Sequence, residues 1–368
     1  MFFEGKTGVK GVKGVELKTL SYFQLLNFNM KYIPFLFLSL ICLVGEAQSP
    51  KRVNFTPTNY YSFFAAETKP VLNILPGDTI YTSSVDCDGF DKNGIKRSIG
   101  KAENPLTGPF YIEGAEEGDI IKVTFTAMKF SRNTALCLPY FHERSMPSSI
   151  TDMVKNNLTP IVWDLDLKKN KAKLQAPTEH LKNFEVAISP FLGCVGLAAP
   201  KGQEVGTGDA GPFGGNMDFN RIAKHASVYL PVYNKGGLLY LGDGHAAQGD
   251  GEINWMALET SLDYAFTVKL IKSPTKKLAY PRVEDATYIM TVGLDATLDN
   301  ALKIASKGML AWLQEDYNLT IEEATQVMGS SLEYKITEIV DPQVEIVAMI
   351  KKTVLKNISK PIKEKLHN

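Results

Sequence analysis

The sequence predicts a mainly β (α+β) protein with a helical hairpin near its carboxyl end, and three observations carry that prediction. Alternation of apolar and polar residues recurs over short spans bounded by Gly, Pro, Asn and Asp, the period-two signature of half-buried strands. Ile121, Val123, Phe125 and Ala127 share one face, and Tyr264, Phe266, Val268 and Leu270 repeat the pattern, as do Val344, Ile346, Ala348 and Ile350. One stretch instead repeats at helical spacing: Leu298, Ala301, Leu302, Ala305, Met309, Trp312 and Leu313 form an apolar stripe. Thr320 and Glu323 then have capping-box spacing, which starts a second helix that Gly329 is placed to stop. Between Val228–Tyr233 and Leu238–Leu241, the run Asn234-Lys235-Gly236-Gly237 predicts a β-hairpin, because its residues tolerate positive φ.

Composition narrows the function. The chain has 368 residues, 44% of them hydrophobic, with 40 Lys+Arg balancing 40 Asp+Glu. It can bury a large core, and a neutral chain lacks the basic excess that tracks phosphates, so nucleic acid is not an expected partner. Met30-Lys31 precedes an uncharged run from Ile33 to Val44, and Gly45 and Ala47 supply the small residues of a cleavage site. Residues 30–47 therefore read as a signal peptide, residues 1–29 as an upstream extension, and residues 48–368 as one catalytic domain of up to two packed β subdomains. Cleavage after Ala47 implies export to the periplasm or outside the cell, with no stable membrane span left. An uncleaved anchor is the alternative. The mature chain keeps Cys87, Cys137 and Cys194, too few to staple it, and they read as small buried residues.

The densest chemical cluster is Gly242-Asp243-Gly244-His245-Ala246-Ala247-Gln248-Gly249-Asp250-Gly251-Glu252. If a strand runs from Leu239 to His245, Asp243 and His245 project to one side and offer two ligands to a divalent metal. After the glycine-rich bend, Glu252 can return to the same point. A solvated turn is the plain alternative, but it has no need of His, Gln and Glu together. The stretch Gly206 to Asp218 ends in Asn216 and Asp218 and lacks the phosphate-binding pattern. A third stretch, Asn104 to Asp119, reads by composition as a loop entering a strand.

Together these stretches resemble the acetamidase/formamidase family of metal-dependent amide hydrolases. The resemblance rests on Gly-Pro-x-x-x-Glu-Gly-Ala-Glu-x-Gly-Asp at Gly108 to Asp119, Gly-Gly-Asn-Met-Asp at Gly214 to Asp218, and the whole run Gly242 to Glu252. Pro190 to Pro200 is similar to a fourth family segment, and the likeness spans Asn73 to Val340. It implies β-sandwich and barrel-like parts and hydrolysis of a small linear carboxamide, acetamide- or formamide-like, to a carboxylate and ammonia. Phe213 stands where acetamidase-like members often carry His, a change expected to alter the substrate pocket.

An unactivated amide needs a strong nucleophile, a stabilised oxyanion and a protonated leaving nitrogen, and a divalent metal supplies the first two. The expected centre is Zn or Ca held by Asp243 and His245, with Asp86 or Glu113 from the earlier half. Glu252 is then the proton shuttle, while Asn216 and Asp218 orient the substrate or a ligand. Two rivals stand beside this. One is a cysteine hydrolase with Cys194 as nucleophile and His245 or His225 as base. The other is an exported, non-catalytic β protein that only binds a metal or ligand. A homodimer is the assembly to test.

Overall fold

The computed structural model describes residues 49–98, 104–272, 274 and 277–358, so residues 1–47, with the expected extension and signal peptide, lie outside the described residues. Among the described residues no helix is long and apolar enough to cross a membrane.

Strands dominate, as the alternation requires, and they form two sheets. The first has nine strands, with Ile120–Phe130 and Leu262–Ile271 paired antiparallel at its centre and Tyr288–Asp295, Val344–Lys351 and Glu333–Glu338 at one end. The second has eleven strands, and Phe191–Leu197 and Leu239–His245 pair antiparallel within it. Phe125, Phe266 and Val347 of the first sheet share one apolar core with Phe110, Leu192 and Leu241 of the second. This is the packing of a sandwich, in which inner faces meet and close out water.

The alternation is obeyed locally and interrupted once. Ile121, Val123 and Phe125 are buried, but beyond Phe125 the inward position passes to Met128 rather than Ala127. The register against Leu262–Ile271 shifts there, since Ala265 pairs with Ala127 and Phe266 with Phe125, which leaves Thr126 as a bulge. Val344–Lys351 goes further than one-sided alternation. Val347 and Met349 face the sandwich core, while Ile346, Ala348 and Ile350 face the helices on the other side.

Those helices are the expected hairpin, Leu298–Tyr317 and Ile321–Ser331. Ala301, Ala305, Met309, Trp312 and Leu313 of the stripe are buried, whereas Leu298 and Leu302, at its margin, are exposed. The Thr320 hydroxyl accepts from the Glu323 N–H and the Glu323 carboxylate from the Thr320 N–H, so the capping box is formed at both ends. Gly329 does not stop the helix. The helix runs two residues on to Ser331 and ends where Leu332 turns extended to enter the edge strand Glu333–Glu338.

One expectation fails in an instructive way. Asn234-Lys235-Gly236-Gly237 does reverse the chain, with positive φ at Gly236, Gly237 and Leu238. Ser227–Pro231 and Leu239–His245 do not pair with each other, however, because they belong to different sheets. The Asn234 amide instead donates to the carbonyls of Ala198 and Ala199, at 3.1 and 2.7 Å, and fixes a crossing between the two layers. Turn chemistry specifies a reversal, and only the pairing partners of the flanking strands decide whether it closes a hairpin.

Candidate active site

The strand expected at Leu239–His245 is present, and all of its residues are buried. It pairs on one side with Phe191–Leu197, where Cys194 faces Gly242 and Phe191 faces His245, and on the other with Glu259–Thr260, where Glu259 faces His245. The Phe191 ring stacks on the imidazole at 4.7 Å and 11° between planes, which fixes its orientation. Asp243 has φ 58°, so the strand twists at that residue and brings its carboxylate to within 4.0 Å of His245 Nδ1.

His245 is the hub. Its Nε2 lies 2.9 Å from Glu259 Oε1, 3.4 Å from Glu252 Oε1 and 3.7 Å from Asp218 Oδ1. Glu252 does return after the glycine bend, where Gly251 takes φ 79° and the Ala257 N–H donates to the Glu252 carboxylate at 2.7 Å. The Asn216 amide donates to Asp218 and to Asp341, both at 2.6 Å, and its oxygen accepts from the Cys194 thiol at 2.6 Å. Gln248 donates to the Asp218 and Thr337 carbonyls and ties the Asp218 turn to the edge strand Glu333–Glu338. Space for this convergence is left by Gly193. A Cβ there would fall 2.2 Å from Asp218 Oδ1 and 2.4 Å from Asp243 Oδ2, so only glycine lets the carboxylates meet.

Six carboxylates form one cluster, in which Asp218, Asp243, Glu252 and Glu259 lie within 4.0 Å of the imidazole, Glu338 meets Glu252 and Asp341 meets Asn216, and among the described residues none of the six is ion-paired with Lys or Arg. Burial, reinforced by the neighbouring carboxylates, drives Asp218, Asp243, Glu338 and Asp341 well above the usual carboxylate range. Burial also raises Glu259. Burial opposes the Glu252 carboxylate as well, but the imidazole beside it, together with hydrogen bonds from Glu338 and the Ala257 N–H, outweighs that and holds it below its ordinary value. Burial likewise opposes the His245 imidazolium, but Glu259 and Asp243 outweigh it and lift His245 well above its ordinary value. Acceptors facing acceptors in a low dielectric demand a proton or a cation between them.

Three sets of donor atoms each lie within 4.8 Å of one another: Asp218, Asp243 and His245; His245, Glu252 and Glu259; Asp218, Glu252 and Glu338. The carboxylate oxygens Asp218 Oδ1 and Asp243 Oδ1 have no hydrogen-bond donor. This donor set, oxygen-rich with one imidazole nitrogen, fits a divalent cation.

Of the residues expected from the sequence, Asp218, Asp243, His245, Glu252 and Asn216 come together. Asp86 lies beside the cluster, but its carboxylate is engaged by Arg132 at 2.7 Å and by the Phe90 N–H at 2.8 Å. Glu113 is a correction: it accepts from Asn73 at 2.7 Å on an exposed edge and makes no contact with the cluster. The loop carrying it belongs to the parallel pairing of Leu72–Ile74 with Thr107–Ile112, which aims it away. Phe213 also falls outside the pocket, since its ring packs on Phe64 at 5.3 Å in a separate buried aromatic group. His225 is exposed in a turn. Glu259, Glu338 and Asp341 were not anticipated. The signal for Glu259 and Glu338 is a lone acid within the runs Met256 to Leu262 and Ile336 to Val340, since a charge there is rarely buried without a partner, and Asp341 directly follows the second run.

Fold and pocket define a two-sheet β protein with a polar site built on its second sheet and completed by Glu338 from the edge of the first. The acetamidase/formamidase family model matches residues 207–341. A formamidase of Methylophilus methylotrophus is 42% identical over 85 residues, which is 22% of this chain and 21% of that protein, so the matched stretch spans about a fifth of the curated relative. A predicted acetamidase/formamidase from Thermoanaerobacter tengcongensis superposes with a TM-score of 0.73 at 25% identity, covering 85% of this chain and all of that one (100%). An acetamidase from Yersinia enterocolitica superposes at 0.71 and 28% identity, over 85% of this chain and 95% of its own. The chain is thus similar to the acetamidase/formamidase family in sequence over 207–341 and to solved acetamidase/formamidase structures in fold over 85% of its length.

Proposed function

We propose that this chain is an exported amide hydrolase that converts a primary carboxamide and water to a carboxylate and ammonia. The observation that carries the reading is the convergence of four buried carboxylates, Asp218, Asp243, Glu252 and Glu259, on His245, in space kept open by Gly193. In this reading Asp218, Asp243 and His245 hold a divalent cation of the zinc or calcium type. Such an ion, when bound, acidifies water and polarises a carbonyl.

The chain's own groups do the rest. Glu252, 3.4 Å from His245 Nε2, takes the proton from the attacking water and returns it to the departing nitrogen. Glu338 shares a hydrogen bond with Glu252 and steadies its carboxyl during that exchange. Asn216, gripped by Cys194, Asp218 and Asp341, is held rigid enough to orient the substrate amide.

Cys194 is a poor candidate for the nucleophile. It is fully buried, its thiol donates to Asn216 and to the Thr207 carbonyl, and burial with four surrounding carboxylates pushes it well above the ordinary thiol value.

Metal analysis joined to an ammonia-release screen of the purified protein tests the proposal. His245→Ala is expected to lose cation and turnover together, whereas Glu252→Gln keeps most of the cation and loses about 100-fold or more in kcat. Equal loss of cation in both variants makes Glu252 a ligand. Full activity of Cys194→Ser discards the cysteine route, and its abolition with the cation retained would revive it. Export is tested separately by the mass of the secreted protein, which should begin at Gln48.

A further inference from the structure

The pocket has two unlike walls. One is the acidic cluster, and the other is formed by Leu138, Trp255 and Met256. Trp255 is the unusual member. Its side chain stands at the pocket mouth, 46% exposed, and its backbone has φ 66°. A bulky aromatic residue in the left-handed region is strained and persists only where its surroundings hold it. The surroundings do hold it. The Trp255 N–H donates to the Glu252 carbonyl at 2.8 Å, and the Asn254 amide donates to the Met256 carbonyl at 2.7 Å. The facing loop is tied on by the His142 N–H and the Ser145 hydroxyl, each donating to the Ile253 carbonyl at 3.0 Å.

That loop also brings two rings against the indole: Tyr140 at 5.9 Å and His142 at 6.0 Å between centroids. Neither of these rings lines the pocket, whereas the indole does. The strain belongs to the site as a whole. Of nine non-glycine residues with positive φ among those described, five line this pocket: Asn104, Asp218, Asp243, Glu252 and Trp255. The turn that aims the Glu252 carboxylate is thus the turn that presents Trp255.

Building on the amide-hydrolase reading, we propose that Trp255 is a platform for the acyl substituent of the substrate, and that the preferred substrate class is a primary carboxamide with a planar apolar group, such as an arylacetamide. The volume agrees. The pocket holds about 230 Å³, whereas a four-heavy-atom amide takes the space of only about two or three waters of roughly 30 Å³ each. Acetamide would leave the indole facing water, while an aryl group one methylene from the amide covers it as the amide meets the acidic wall. Tyr140 and His142 act through Trp255 and are positioning residues.

The test uses the cation-loaded full chain and compares kcat/KM for phenylacetamide and acetamide. The wild type is expected to prefer phenylacetamide by about tenfold or more, a preference worth one good apolar contact. Trp255→Asn, which suits positive φ and so spares the fold, should cut the ratio of the two constants about tenfold, mainly through KM for the aryl substrate. Trp255→Phe should keep most of it. A wild-type preference for acetamide overturns the proposal, as does an equal loss on both amides in Trp255→Asn. A change of oligomeric state with the ratio unmoved overturns it too, and assigns the indole to a contact between copies. If no amide is turned over, the hydrolase reading itself fails. Calorimetry with phenylacetamide then decides the platform alone: binding lost in Trp255→Asn upholds it, and binding absent or equal in both proteins rejects it.

Discussion

Two regions of this molecule use the same device for opposite ends. Under the helical hairpin, Gly293 lets the first helix sit directly on its strand, because a Cβ there would lie 1.9 Å from the Ala301 carbonyl oxygen. In the acidic pocket, Gly193 does the same for charged groups, with a Cβ only 2.2 Å from Asp218 Oδ1. The first closeness brings apolar surfaces together and excludes water, which stabilises the fold. The second brings like charges together, which costs stability unless a cation offsets it. Close packing is therefore neutral in itself, and the chemistry of what it joins decides whether it holds the fold or prepares a site.

The comparison breaks most sharply at the two glycines. Gly293→Ala is expected to destabilise by about 3 kcal/mol, since a rigid helix backbone must move. Urea melts would show it, and an unchanged midpoint would mean that the helix is not seated as described. Gly193→Ala should leave the melting midpoint within a few degrees but lose about 100-fold or more in cation affinity and turnover, a cost of about 3 kcal/mol read on function rather than fold. A variant that keeps its cation denies the crowding at that position.

Charges can also be compared across the regions. Glu284, next to the helical flank, accepts from Lys122 at 2.6 Å, Tyr229 at 2.6 Å and Lys352 at 2.9 Å, and these bonds outweigh burial to hold its carboxyl down to about 2. Its folded value lies below the unfolded one, so its contribution is complete above about pH 5 and fades as pH falls toward 2. Glu284→Gln should cost about 2 kcal/mol at pH 7, and the gap from the wild type should close in acid. A gap that stays constant with pH would show that the carboxylate charge is not what the lysines stabilise. The smallest effect is expected from Thr320→Ala, about 1 kcal/mol from the lost helix cap, with turnover unchanged. Any loss of activity there would link the hairpin to the pocket.

Legibility followed the same division. The helical stripe and its capping box could be read because their partners are three or four residues away in the chain. Leu239–His245 could be read as a strand, and Asp243, His245 and Glu252 as one group, because strand alternation and a short glycine bend are local too. Glu338 and Asp341 could not be joined to that group, since they arrive from beyond the helical hairpin by way of the edge strand. Glu113 was misplaced for the converse reason. Its loop has the right composition, and a parallel pairing far from His245 takes it elsewhere.

By itself, then, the sequence determined what local periodicity and local chemistry can encode: a mainly β chain, a late helical hairpin, and a compact Asp-His-Glu group beside an Asn-Met-Asp turn. Tertiary structure decided which reversals close hairpins, how Val344–Lys351 comes to be buried on both faces, and which distant acids complete the pocket. The physical reason is that strand pairing is non-local. A turn fixes the direction of the chain over four residues, but the sheet a strand joins depends on the apolar faces of segments a hundred residues away.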